Sequence, residues 1–139
     1  MKTHSKSLSP LVAIVDDDVS VRQSTVRLLR SFGYRTEVFS SGPEFLASGA
    51  AGRAACLLLD VRMPGMDGLD VQRRLAELGL RLPIVFMTGR AGDEDERRAR
   101  SAGAVEFLRK PVGQSTLRRV IDSVIRASTR GDRNGNGAS

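Results

Sequence analysis

Five short apolar or β-branched runs alternate along the chain with five stretches able to form helices, the pattern of a parallel sheet wound with helices on both faces. The runs are Leu11 to Val15, Arg35 to Phe39, Ala55 to Leu59, Ile84 to Met87 and Val105 to Leu108. The first, third and fourth are continuously apolar, as strands covered on both faces must be. The second, R-T-E-V-F, is mixed and suits a sheet edge, so it belongs outside the first. Asp18 can cap a helix over Val19 to Phe32, with Val19, Val26, Leu29 and Phe32 at helical spacing and Gly33 as a left-handed stop. A short second helix follows Ser41, with Pro43 in its first turn and Phe45 and Leu46 to bury. Gly68 to Leu78 is the third, with Leu69, Gln72, Leu75 and Ala76 near one stripe. Ser115 to Ala127 is the fifth, turning Leu117, Val120, Ile121, Val124 and Ile125 inward.

The fourth helix, Asp93 to Ala102, breaks the pattern. Its only apolar side chains are Ala99 and Ala102. It must rely on acids in its first turn, arginines in its last, and the four-apart pairs Asp93 with Arg97, Glu94 with Arg98 and Glu96 with Arg100, each contributing only about 0.2 to 0.5 kcal/mol. A loosely held helix is the expectation. Residues 1 to 9 and 129 to 139 are polar and lack periodicity, so both ends are expected to be disordered around a single domain over 10 to 128.

Composition narrows the function. The 139 residues fit one domain of ordinary globular makeup, with 40% hydrophobic and 27% charged residues. No apolar run approaches the roughly 20 residues of a membrane-spanning helix, and no signal-peptide stretch opens the chain. The one cysteine, Cys56, cannot form an internal disulfide and suits a reducing cytoplasm. It lies within an apolar strand and reads as a small core residue. The net charge of +6 raises the question of nucleic acid, but the chain has no Trp, one Tyr, and no helix-turn-helix or zinc-finger spacing. A solvated arginine-rich surface explains the charge better than direct nucleic-acid binding.

In a doubly wound sheet, ligands bind beyond the carboxyl ends of the strands, near the point where strand order reverses. The unusual residues fall there: Asp16, Asp17 and Asp18 after the first strand, Asp60 after the third, Thr88 after the fourth, and Lys110-Pro111 after the fifth. Converging carboxylates repel unless a cation joins them. Magnesium suits such a set because it prefers oxygen ligands and takes one or two carboxylates along with phosphate oxygens. Asp18 reads as a helix cap and is left outside the site. Taken singly, Thr88 could serve a strand end and Lys110 a solvated loop; Asp60, at the end of Cys-Leu-Leu-Leu, is costly to bury unless paired or metal-bound.

The strings V-D-D-D, L-L-L-D-V-R-M-P-G-M-D-G, P-I-V-F-M-T-G, A-G-A-V-E-F-L and R-K-P resemble the receiver domain of two-component response regulators, particularly receivers of the nitrogen-fixation regulator type, with LuxR-type output. The resemblance spans roughly residues 10 to 128 and implies a flavodoxin-like α/β fold with five parallel strands in the order 2-1-3-4-5. It implies that Asp60 accepts a phosphoryl group from a phosphohistidine, making an aspartyl phosphate. Asp17, Asp60 and the backbone carbonyl of Arg62 would hold Mg2+ or Mn2+, and Asp16 would help position it. Lys110 would pair with the phosphoryl group, Thr88 would donate a hydrogen bond to it, and Gly89 would leave it room. A cis Lys110–Pro111 bond is also implied. On phosphorylation Thr88 and the aromatic at Phe107 would shift together and remodel the surface of helix four, strand five and helix five. Phe107 could equally be a core residue throughout.

Arg62 and Arg90, two residues after Asp60 and Thr88, are expected at the mouth of the site, where they could pair with the phosphoryl oxygens and obstruct water. The implied partners are a sensor histidine kinase or histidine phosphotransfer protein, a downstream protein target, and a second copy of the phosphorylated chain, without direct contact to nucleic acid or membrane. The chain is expected to act as a cytoplasmic, free-standing regulator that catalyses only its own phosphorylation and dephosphorylation. A receiver excised from a DNA-binding regulator and a phosphorylation-independent adaptor are the alternatives. An aspartate-nucleophile phosphatase fits less well, because such enzymes place a second acid where Arg62 stands.

Overall fold

The computed structural model describes residues 9–138, with side chains through Ser128. Strands β1 (Leu11–Val15), β2 (Arg35–Phe39), β3 (Cys56–Leu59), β4 (Ile84–Thr88) and β5 (Glu106–Arg109) form one all-parallel sheet in the order β2-β1-β3-β4-β5. Each lies within a residue or so of its expected run. The central strands β1, β3 and β4 are buried throughout, while the edges β2 and β5 are partly exposed. Continuous apolarity and mixed polarity therefore separate centre from edge as expected.

Five helices cover the sheet: α1 (Val19–Ser31), α2 (Gly42–Ser48), α3 (Gly68–Glu77), α4 (Asp93–Ser101) and α5 (Gln114–Ala138). Asp18 caps α1 by accepting from the backbone N–H groups of Ser20 at 2.9 Å and Val21 at 3.2 Å. Ser41 caps α2, and Asp67 and Asp70 form a reciprocal capping box on α3. Gly33 follows α1 with φ +99°, the left-handed conformation expected of it. Helix α5 runs past the Ala127 marked by the apolar periodicity. The side chains from 129 on, with residues 1–8 and Ser139, lie outside the described residues, while the backbone of the C-terminal segment expected to be disordered continues α5 as far as Ala138.

Alternating strand positions feed two cores. One, between the sheet and α2, α3 and α4, contains Val15, Phe45, Leu57, Leu59, Val71, Leu75, Phe86, Ala99 and Phe107. The other, beneath α1 and α5, contains Ile14, Leu29, Cys56, Leu58, Val85, Leu117, Ile121 and Ile125. Burial pushes the Cys56 thiol up to about 12, so it is a neutral core residue. Two stripe positions differ from expectation. Val19 is 54% exposed because it occupies the first helical position, before α1 settles onto the sheet, and in α3 the buried position is Val71 while Ala76 faces solvent.

Helix α4 buries only Asp95 and Ala99. Of the three four-apart pairs expected on it, only Glu96 with Arg100 forms, at 3.0 Å. Glu94 pairs instead with Arg97, one residue nearer, and Asp93 with Arg109 of β5 at 3.3 Å. The arginine of a neighbouring strand thus competes successfully with those of the helix itself.

Candidate functional site

Chain order forces the acids together. After β1 the chain crosses to β2 on one side and then returns to β3 on the other, so the ends of β1 and β3 face the switch point of the sheet. Val15 lies opposite Leu59 in register, and the Asp60 N–H donates to Val15 O at 3.1 Å. The residues that follow, Asp16 and Asp60, are consequently neighbours. Asp16, Asp17 and Asp60 each present a carboxylate oxygen within 4.8 Å of the others. Asp16 and Asp60 are buried and Asp17 is exposed, which leaves the cluster open to solvent on one side.

Asp16 is held from three directions. Its Oδ1 accepts from the Asp18 N–H at 2.9 Å, its Oδ2 from Lys110 Nζ at 2.8 Å, and its backbone carbonyl from Arg22 Nη1 at 2.7 Å. Lys110 also stands 3.6 Å from Asp60 Oδ2. It is anchored through its N–H to Thr88 O at 2.7 Å, and the Lys110–Pro111 bond is cis. Burial alone would push the Lys110 ammonium down, but the Asp16 and Asp60 carboxylates outweigh it and raise its pKa. It is a cation throughout the neutral range.

Asp60 is the least satisfied group. Its Oδ1 is buried without a hydrogen-bond partner. Burial is the largest influence on this carboxyl and raises its pKa, assisted by the Asp16 charge; the Lys110 ammonium, the Thr88 hydroxyl and the Arg62 backbone N–H oppose it. An unpartnered anionic oxygen among hard oxygen donors fits a divalent cation such as Mg2+.

Helix α3 approaches the same strand end so closely that a Cβ on Gly68 would lie 2.3 Å from Asp60 O and 2.9 Å from the Phe86 ring. Only glycine admits this contact. At Gly89, by contrast, an added Cβ would make ordinary contact with Lys110 at 3.8 Å. Thr88 is buried, its Oγ1 accepting from the Arg90 N–H at 3.3 Å. Phe107 is buried against Phe86 with ring centroids 5.8 Å apart, and the Arg109 guanidinium lies 5.5 Å from its ring centre.

The structure brings together Asp16, Asp17, Asp60, Thr88 and Lys110. The Arg62 side chain does not stand over the mouth of the site: its Nη2 reaches across to the Asp95 carboxylate of α4. Arg22, Asp95 and Arg109 were not singled out by sequence. Asp95 carried one usable signal, since an acid three residues after Gly92 can accept from that N–H at a helix start, as it does here at 3.1 Å.

Comparison with known proteins bears on this geometry directly. Residues 12–122 match the response regulator receiver domain. The chain belongs to the response regulator receiver family. Nodulation protein W of Bradyrhizobium diazoefficiens is 41% identical over 124 residues, which is 89% of this chain and 53% of that protein. The transcriptional regulatory protein FixJ of the same organism is 35% identical over 115 residues, or 83% of this chain and 56% of that protein. Among solved structures the response regulator StyR superposes with a TM-score of 0.85 at 36% identity, covering 94% of this chain and 66% of that one. The receiver thus spans little more than half the length of the curated relatives it matches. Signalling by phosphorylation is generic to the family, and receivers bind Mg2+ at an acidic pocket; Asp16, Asp17 and Asp60 form an acidic cluster in this chain. No helix of the described residues is long and apolar enough to cross a membrane.

Proposed function

We propose that this receiver takes a phosphoryl group onto Asp60 from the phosphohistidine of a sensor kinase or phosphotransfer protein in the cytoplasm. The observation that carries this is the buried, unpartnered Oδ1 of Asp60 between two further carboxylates and an ammonium. Asp17, Asp60 and the Arg62 carbonyl would hold Mg2+, with Asp16 steadying it, and the ion would neutralise the acids and the charge that spreads over the oxygens in transfer. Asp60 supplies the attacking oxygen, and the P–N bond to histidine breaks as the P–O bond to Asp60 forms. Lys110, already a fixed cation between Asp16 and Asp60, pairs with the incoming phosphoryl oxygens. Thr88, whose hydroxyl bears on the Asp60 carboxylate, would donate to them.

The added charge of about −1.5 to −2 then changes what the α4, β5 and α5 surface offers to a downstream protein or to a second copy of the chain. This reading holds for a receiver acting alone and for one joined to an output domain. Intact mass after incubation with Mg2+ and acetyl phosphate tests it. A gain of one phosphoryl group by the parent and none by Asp60→Ala is the expected result. No gain in a folded parent would move the reading to a phosphorylation-independent adaptor.

A further inference from the structure

Helix α4 has almost no apolar attachment, and the contacts that replace it are specific. Gln72 Nε2 of α3 donates to Ala99 O at 3.0 Å. From β5, Arg109 donates to Ala91 O at 2.7 Å and pairs with Asp93 and Glu96 at 3.3 and 3.1 Å. Two further ion pairs hold it: its own Arg100 with Glu106 of β5 at 3.4 Å, and Arg62 with Asp95. Asp95 differs from the other acids of the first turn: it is buried, and among the described residues it accepts, besides from Arg62, only from the Gly92 N–H.

Arg62 touches the acceptor and the helix at once. Its backbone N–H favours the charge on Asp60, and its guanidinium, half exposed, holds Asp95. A phosphoryl group on Asp60 would place three strong acceptor oxygens two residues from a guanidinium whose geometry suits them, in competition with one carboxylate.

We propose that Arg62 is a positioning residue that changes partners, bound to Asp95 in the unphosphorylated protein and to the phosphoryl group once Asp60 carries one. The inference rests on Asp60 being the acceptor. When Arg62 leaves, Asp95 is a buried anion with a single N–H donor, and the first turn of α4 loosens. When Arg62 arrives at the phosphoryl group, it shields it from water. The acceptor loop is thereby coupled to α4 by a route that does not pass through Thr88 and Phe107.

The test compares the parent, Arg62→Gln and Asp95→Asn. Each is incubated with Mg2+ and acetyl phosphate, its phosphoryl content is read by intact mass, and amide exchange is followed over 93 to 101. Exchange in α5 serves as the check on folding. In the parent, α4 exchange should rise about fivefold on phosphorylation, the low end of ordinary coupling. In both variants it should be raised beforehand and change no further. Phosphate loss separates a partner exchange from a static brace. Arg62→Gln should lose phosphate faster than the parent, and Asp95→Asn, which frees Arg62 for the phosphoryl group, more slowly. A phosphorylated parent with unchanged α4 protection, a variant that responds as the parent does, or lifetimes that shift in the same direction would each overturn the proposal. A parent that gains no mass overturns the acceptor assignment, and this inference with it.

Discussion

Helices α4 and α5 precede and follow the same edge strand, β5, and are attached to the sheet by different physics. Helix α5 buries Leu117, Val120, Ile121 and Ile125 in a continuous core. Helix α4 buries Ala99 and a carboxylate, and is fastened by ion pairs, two from arginines outside it, Arg62 and Arg109, and one from its own Arg100 to Glu106. Apolar burial answers weakly to charge, whereas an ion pair answers to any charge placed beside it. The attachment of α4 is therefore the one that a charge placed at the site would disturb, while α5 keeps its seat in the core on the opposite face of the sheet.

The largest effect should come from the apolar side. Ile121→Ala removes a fully buried side chain and should lower stability to urea by about 2 to 5 kcal/mol. An Ile121→Ala protein as stable as the parent would mean that α5 is not held by its core. Arg109→Ala should cost less, about 1 kcal/mol, since its partners are largely exposed, but it should raise amide exchange in α4 while leaving α5 unchanged. Equal increases in both helices would erase the distinction between them.

The charged edge should also respond to pH. Because the folded state disfavours ionised Asp60, the unfolded chain releases this proton at lower pH. The Asp60 contribution to stability is therefore lost as pH rises through the carboxylate range. In the absence of divalent cations, Asp60→Asn should melt above the parent at neutral pH, and the gap should close by about pH 3. A gap that widens on acidification would reverse the assignment. The smallest effect is expected from Arg97→Ala, which among the described residues forms an ion pair only with the exposed Glu94 one turn away. The urea midpoint should not move measurably; a clear drop would show that exposed pairs within α4 matter as much as the tethers from outside.

The sheet and the carboxylate cluster were legible because each depends on a local rule. Continuous apolar runs mark central strands, and parallel topology brings their carboxyl ends to one edge, so Asp16, Asp60, Thr88 and Lys110 could be placed together from chain order. The attachments of α4 could not. Arginine side chains are long, the chain has 22 Lys and Arg residues, and spacing along a helix says nothing of which strand lies beside it. Hence helical spacing points Asp93 to Arg97 where the structure has Arg109, and chain order points Arg62 to the site mouth where the structure has it on Asp95. Val19 lies outside the core for a related reason: periodicity gives a direction around the helix axis but not how far along that axis the sheet extends.

Cys56, enclosed between β1 and the covering helices with its thiol pushed up to about 12, has a practical consequence. As the chain's single cysteine, it should be silent toward maleimides at neutral pH. A reporter thiol introduced at exposed Ser101, with a second on exposed Arg119, would then take fluorophores without background, and the distance between α4 and α5 could be followed by energy transfer in the otherwise native chain.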